Sequence, residues 1–135
     1  MIKEFVDRWT SKIPDVKRRF SESHPADYDA IFKILCETLS DEDDSGTPDP
    51  KRITAIDHGS YQGTRVFVVG CHGYQPSTYW ACCVDYGSCS GCDSFERIRG
   101  YDYDGAPTES QAAGYFQLCL NMLQGMREIG IGHVD

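Results

Sequence analysis

The hydrophobic period of this chain changes once, near residue 50, and that change decides what it can fold into. Up to Leu39 apolar residues recur every three to four positions; from Lys51 onward they come as β-branched and aromatic runs broken by glycine. Helices first and strands afterwards is the pattern of an α+β domain, with helices laid on an antiparallel sheet. Between the two halves, residues 40–50 (SDEDDSGTPDP) hold turn formers, two prolines and carboxylates at 41 to 44, which reads as a solvated loop.

Within the helical part, Ile2, Phe5, Val6, Trp9 and Ile13 line one face of a helix over residues 2–12 that Pro14 is expected to end. A second helix is expected to open at Ser23 or His24, with Pro25 in its first turn and Asp27 and Asp29 near its N-terminus. Tyr28, Ile31, Phe32, Leu35 and Leu39 form its buried face. Three strands follow over 52–58, 64–70 and 78–86, and the short link at 59–63 makes the first two a hairpin. Val66 and Val68 alternate with Phe67 and Val69, so the second strand reads as central. Residues 93–99 suit a short helical turn. Thr108 with Gln111 three positions on has the form of a capping box, opening a helix to about Ile129 whose apolar face is Ala112, Phe116, Cys119, Leu120, Leu123 and Met126. The expected fold is one α+β domain of 1–135. It comprises a helical part at 2–39, an acidic loop at 40–50, a three-stranded meander at 51–86, a motif and loop at 87–107, and a long C-terminal helix at 108–129.

The 135 residues carry 21 carboxylates against 13 lysines and arginines, a formal charge of −8. Such a surface repels phosphate backbones and disfavours direct nucleic-acid binding, while it suits a basic protein partner. Charges run through Met1–Trp9, unlike a secretory signal, and no segment approaches the roughly 20 apolar residues that span a bilayer. Seven cysteines scattered through apolar segments read as reduced, buried thiols of a cytoplasmic protein.

The densest chemistry lies in Tyr86-Gly87-Ser88-Cys89-Ser90-Gly91-Cys92-Asp93, directly after the third strand. Cys89 and Cys92 have the spacing at which two thiolates share one zinc ion, with Cys71, His72, Cys82 or Cys83 as the remaining donors. No second knuckle is present, and Cys82 and Cys83 alternate across a strand, so only one of them can face a given site. A reactive thiol is a second reading, since a glycine-rich turn gathers N–H groups that stabilise thiolate. It needs a base, and His58 and His72 both read as surface residues at hairpin ends. A third reading is local: Gly87 and Gly91 supply backbone freedom while Ser88, Ser90 and Asp93 bond nearby amides. Tyr86, Ser88, Cys89, Ser90, Cys92 and Asp93 are the candidate binding residues, joined by Tyr61 and Gln62 if that hairpin folds toward the same sheet edge. The acidic run at 41–44 and the tyrosines 101 and 103 suit a recognition surface or plain solvated loops.

The string from Gly59 through Tyr61-Gln62-Gly63-Thr64 into RVFVVG, followed by VDYGSCSGCDSFERI, resembles a family of small uncharacterised proteins encoded mainly by tailed bacteriophages. The likeness covers roughly residues 53–129 and carries no established activity. It implies a phage accessory protein working in the bacterial host cytoplasm, without a cofactor. Such a protein acts by binding a host protein or a small ligand, for instance as an inhibitor of a host defence system. The alternative is a zinc- or thiol-dependent enzyme, or a metal-binding protein, built on Cys89 and Cys92.

Overall fold

The computed structural model describes residues 2–59, 63–73, 76–87, 93–101 and 104–130. Over these residues the chain is α+β, with helices α1 (Lys3–Glu22), α2 (Tyr28–Leu39), α3 (Ser94–Arg99) and α4 (Glu109–Gly125). Strands β1 (Pro48–Gly59), β2 (Gly63–Cys71), β3 (Thr78–Tyr86) and β4 (Arg127–Gly130) form one antiparallel sheet in the order β1-β2-β3-β4.

Three expectations about element boundaries are corrected. Pro14 lies inside α1 rather than at its end. Proline removes one intrahelical hydrogen bond at a cost of about 3 kcal/mol. Val16 and Phe20, buried beyond it on the stripe begun by Phe5 and Trp9, each return about 1.5–3 kcal/mol when fully buried. Helix α2 starts at Tyr28, not at Ser23 or His24, because the Asp27 carboxylate accepts the Ala30 N–H at 2.9 Å and caps it there. Helix α4 opens on the Thr108–Gln111 capping box but stops at Gly125, and Arg127–Gly130 pairs with Thr78–Ala81 as a fourth strand. Pairing satisfies backbone groups along the open edge of β3, which a continued helix would leave bare.

The register sorts the sheet into two faces. Ile53–Val69–Trp80 and Ala55–Phe67–Cys82 form rows that face the helices. Phe32 stacks on Phe67 with centroids 4.9 Å apart, and Phe5 meets Trp80 at 5.2 Å. The buried face expected for α2 is buried in full, Tyr28, Ile31, Phe32, Leu35 and Leu39 included. On α4 the buried residues are Tyr115, Cys119, Met122 and Leu123, while Ala112, Phe116 and Leu120 are half-buried at its border. The opposite sheet face carries Ile56–Val66–Cys83 and Thr54–Val68–Ala81, and Ile56 is 55% exposed. No helix among the described residues is long and apolar enough to cross a membrane.

Candidate functional site

The helix-facing side of the sheet turns polar at one end. Beyond the Ala55–Phe67–Cys82 row comes Asp57–Arg65–Val84, and then Gly59–Gly63–Tyr86. Arg65 therefore projects beneath the first turn of α2. Its guanidinium donates to both carboxylate oxygens of Asp29, from Nε at 2.7 Å and from Nη2 at 2.6 Å, and from Nη1 to Asp57 at 3.2 Å. This fork clamps the helix N-terminus to the sheet in the two-point geometry that arginine alone provides. The Tyr86 hydroxyl donates to the other Asp57 oxygen, and that bond raises its phenol above the ordinary value.

Asp93 closes the motif from its far side. The residue is only 5% exposed, and Oδ1 accepts from the Tyr28 hydroxyl at 2.9 Å and from the Glu96 N–H at 3.1 Å, while Oδ2 accepts the Gly87 N–H at 2.9 Å. The Tyr28 oxygen in turn accepts the Phe95 N–H at 3.0 Å. One carboxylate thus caps α3, anchors α2 and holds Gly87, just beyond β3. Burial is the main cause that pushes the Tyr28 phenol up, with Asp93 adding to it.

Together these residues line a cavity of about 440 Å³ bounded by Asp27, Asp29, Asp57, Asp93 and Glu96, by Arg65 and Arg99, and by Tyr28, Tyr86 and Phe95. Five carboxyl groups face two guanidiniums. Asp29 and Asp57 are engaged by Arg65, whereas Asp27 and Glu96 make no ion pair among the described residues. The lining is therefore net acidic, and the Arg99 guanidinium already lies over the Phe95 ring, 5.2 Å from its centroid.

Of the residues expected from sequence, Tyr86 and Asp93 lie at this cavity. Tyr61, Gln62, Ser88, Cys89, Ser90 and Cys92 lie outside the described residues, as does Tyr103. The hairpin flanks Gly59 and Gly63 pair across to Tyr86, so the base of the 59–63 link adjoins the start of the motif. Arg65, Asp29, Asp57 and Tyr28 were missed as site residues. Arg65 alone carried a signal, a charge inside an otherwise apolar strand.

The remaining thiols and histidines are also placed. Cys82 is buried and Cys83 exposed, as strand alternation requires. Burial raises the thiols of Cys36 and Cys119 and pushes Cys82 up to about 12, which makes them poor nucleophiles. Among the described residues no three His, Cys, Asp or Glu side chains converge as a metal site. His58 is exposed, but His72 is not the surface residue expected: its side chain is 16% exposed and is hydrogen-bonded to Ser40. Tyr101 is 99% exposed. The acidic loop is ordered on itself, since Thr47 Oγ1 joins the backbone of Asp41 and Asp44, and Arg8 faces Asp41 and Asp44. No family model, curated protein or solved structure matches the chain.

Proposed function

We propose that this chain is a small acidic binding protein whose cleft at the Tyr86 end of the sheet receives a basic side chain of a partner protein. The observation that carries the reading is the charge imbalance of that cleft, where among the described residues Asp27 and Glu96 have no cationic partner beside Tyr28, Tyr86 and Phe95. Arg65 holds the frame rigid, so a lysine or arginine entering from a partner meets preorganised carboxylates. A small ligand bearing an ammonium or guanidinium group would use the same contacts. The net charge of −8 adds long-range attraction for a basic surface. With the bacteriophage resemblance, the partner is a host protein in the bacterial cytoplasm, and in the sharper form a defence protein whose basic nucleic-acid groove is occupied.

Titration with an arginine-rich peptide, at about 50 and 300 mM salt, tests the reading, because exposed charge pairs weaken as the screening length shortens. Wild-type protein should bind, more weakly at high salt. Asp27→Asn, which keeps the helix cap, and Glu96→Lys should each reduce affinity several-fold. Binding that ignores salt and both substitutions would remove the cleft from consideration.

A further inference from the structure

A second cleft, at the opposite end of the fold, holds a serine, a histidine and a carboxylate in series. Ser40 leaves the C-terminus of α2, and its Oγ lies 2.7 Å from Nε2 of His72. Nδ1 of His72 lies 3.6 Å from Oδ2 of Asp49. The two partners of the serine are well shielded, with side chains 16% and 14% exposed. Chain topology assembles them: Pro48 pairs with Cys71, which sets Asp49 beside His72, and the His72 N–H donates to the Thr47 carbonyl at 3.1 Å. Asp49 is held in turn by the Lys51 N–H at 3.0 Å and by Arg52 at 3.3 Å, while Arg52 also donates to the Cys71 carbonyl at 2.8 Å. The cleft over this series has a volume of about 710 Å³ and is lined also by Lys33, Glu37, Glu42 and Lys51.

We propose that Ser40 is an activated nucleophile, with His72 as its base and Asp49 as the positioning residue, acting on small polar esters. Residue types and order of contact are those of a serine acyl-transfer series, which is recognised by geometry rather than by fold. The tautomer with N–H on Nδ1 faces Asp49 and leaves the Nε2 lone pair for the serine. A separation of 3.6 Å is longer than a hydrogen bond, and such contacts tighten as imidazolium forms. The Ser40 oxygen attacks the ester carbonyl carbon while its proton passes to Nε2. The C–O bond to the leaving alcohol then breaks, and that alcohol takes the proton from Nε2. Water, deprotonated by Nε2, attacks the acyl-serine; the carboxylic acid departs and Ser40 regains its proton. Lys33 and Lys51 are the cleft's cations, available to charge developing on the carbonyl oxygen. A lining without large apolar groups fits polar rather than lipid esters. The proposal is independent of the cleft at the Tyr86 end.

A tagged fluorophosphonate, from which serine displaces fluoride, is the probe, with peptide mass mapping to locate the adduct. Wild-type protein should be labelled at Ser40 and Ser40→Ala should lose that adduct. His72→Gln should react at least about 100-fold more slowly, the lower range of what a positioned base contributes. Asp49→Asn should lower the rate and Asp49→Glu restore part of it. Labelling of Ser40 in the wild type needs no variant to fold. An unlabelled Ser40 or equal labelling of His72→Gln would overturn the proposal.

Discussion

Asp93 shows how much one side chain can be asked to satisfy. With its carboxylate gone, the Tyr28 hydroxyl and the N–H groups of Gly87 and Glu96 lose their acceptor inside the protein. Buried groups left unpaired cost about 1–3 kcal/mol each. Asp93→Ala is therefore expected to lower the unfolding free energy by about 3 kcal/mol or more, read from urea denaturation, whereas Asp93→Asn keeps shape and part of the bonding and costs less. A loss under about 1 kcal/mol for the alanine variant would show that the clasp is not structural. Thiol reactivity separates residues in the same way. Native protein exposed to iodoacetamide should be alkylated at Cys83 well before Cys36, Cys82 and Cys119, whose thiols burial pushes up, with peptide mapping as the readout. Alternation along β3 made the Cys82 and Cys83 difference legible in advance, because it needs only the strand period. Neither the Ser40–His72 bond nor the Arg65–Asp29 fork was legible, since each joins segments more than thirty residues apart through pairings that no local pattern encodes.

Helix α4 and its neighbour α3 are where sequence-level rules hold and where they fail side by side. The capping box at Thr108 was legible because it is local chemistry, and Thr108→Ala should cost about 0.5–2 kcal/mol in thermal or urea unfolding. The end of α4 was not, because the apolar spacing continues through Met126 and Ile129 while the edge of β3 recruits that segment as β4. Pro14 failed for the opposite reason: a local penalty was outweighed by burial on both sides of it. Gly114 sets helix propensity against packing directly. Alanine is favoured by about 1 kcal/mol in a helix interior, yet a Cβ here would stand 2.8 Å from Cγ2 of Ile98 and 2.9 Å from its Cγ1. These atoms are close to the Ile98 backbone and cannot swing clear, so overpacking of about 1–3 kcal/mol should prevail. Gly114→Ala is expected to be net destabilising, and a raised melting temperature would show that α3 yields to α4.

For the whole molecule, burial of several neutral acids fixes the response to alkali. Tyr28, Tyr115 and the thiols of Cys36, Cys82 and Cys119 all titrate higher folded than unfolded, chiefly through burial. Below their unfolded values each contributes its full share; above these the unfolded chain sheds protons that the folded one retains, and stability falls. The urea midpoint should thus decline from about pH 9 upward, where free thiols and then phenols ionise. A midpoint unchanged between pH 8 and 10.5 would contradict the buried placement of these groups. The one-sided covering of the sheet has a consequence for how this sequence can drift. Along β1 and β2, Ile53, Ala55, Phe67 and Val69 are bound to the helices, while Thr54, Ile56, Val66 and Val68 point away from them. Permitted variation should therefore alternate residue by residue along the strands, a comb of free and fixed letters. In α2, where Tyr28, Ile31, Phe32, Leu35, Cys36, Thr38 and Leu39 are all buried, the free letters shrink to a narrow stripe.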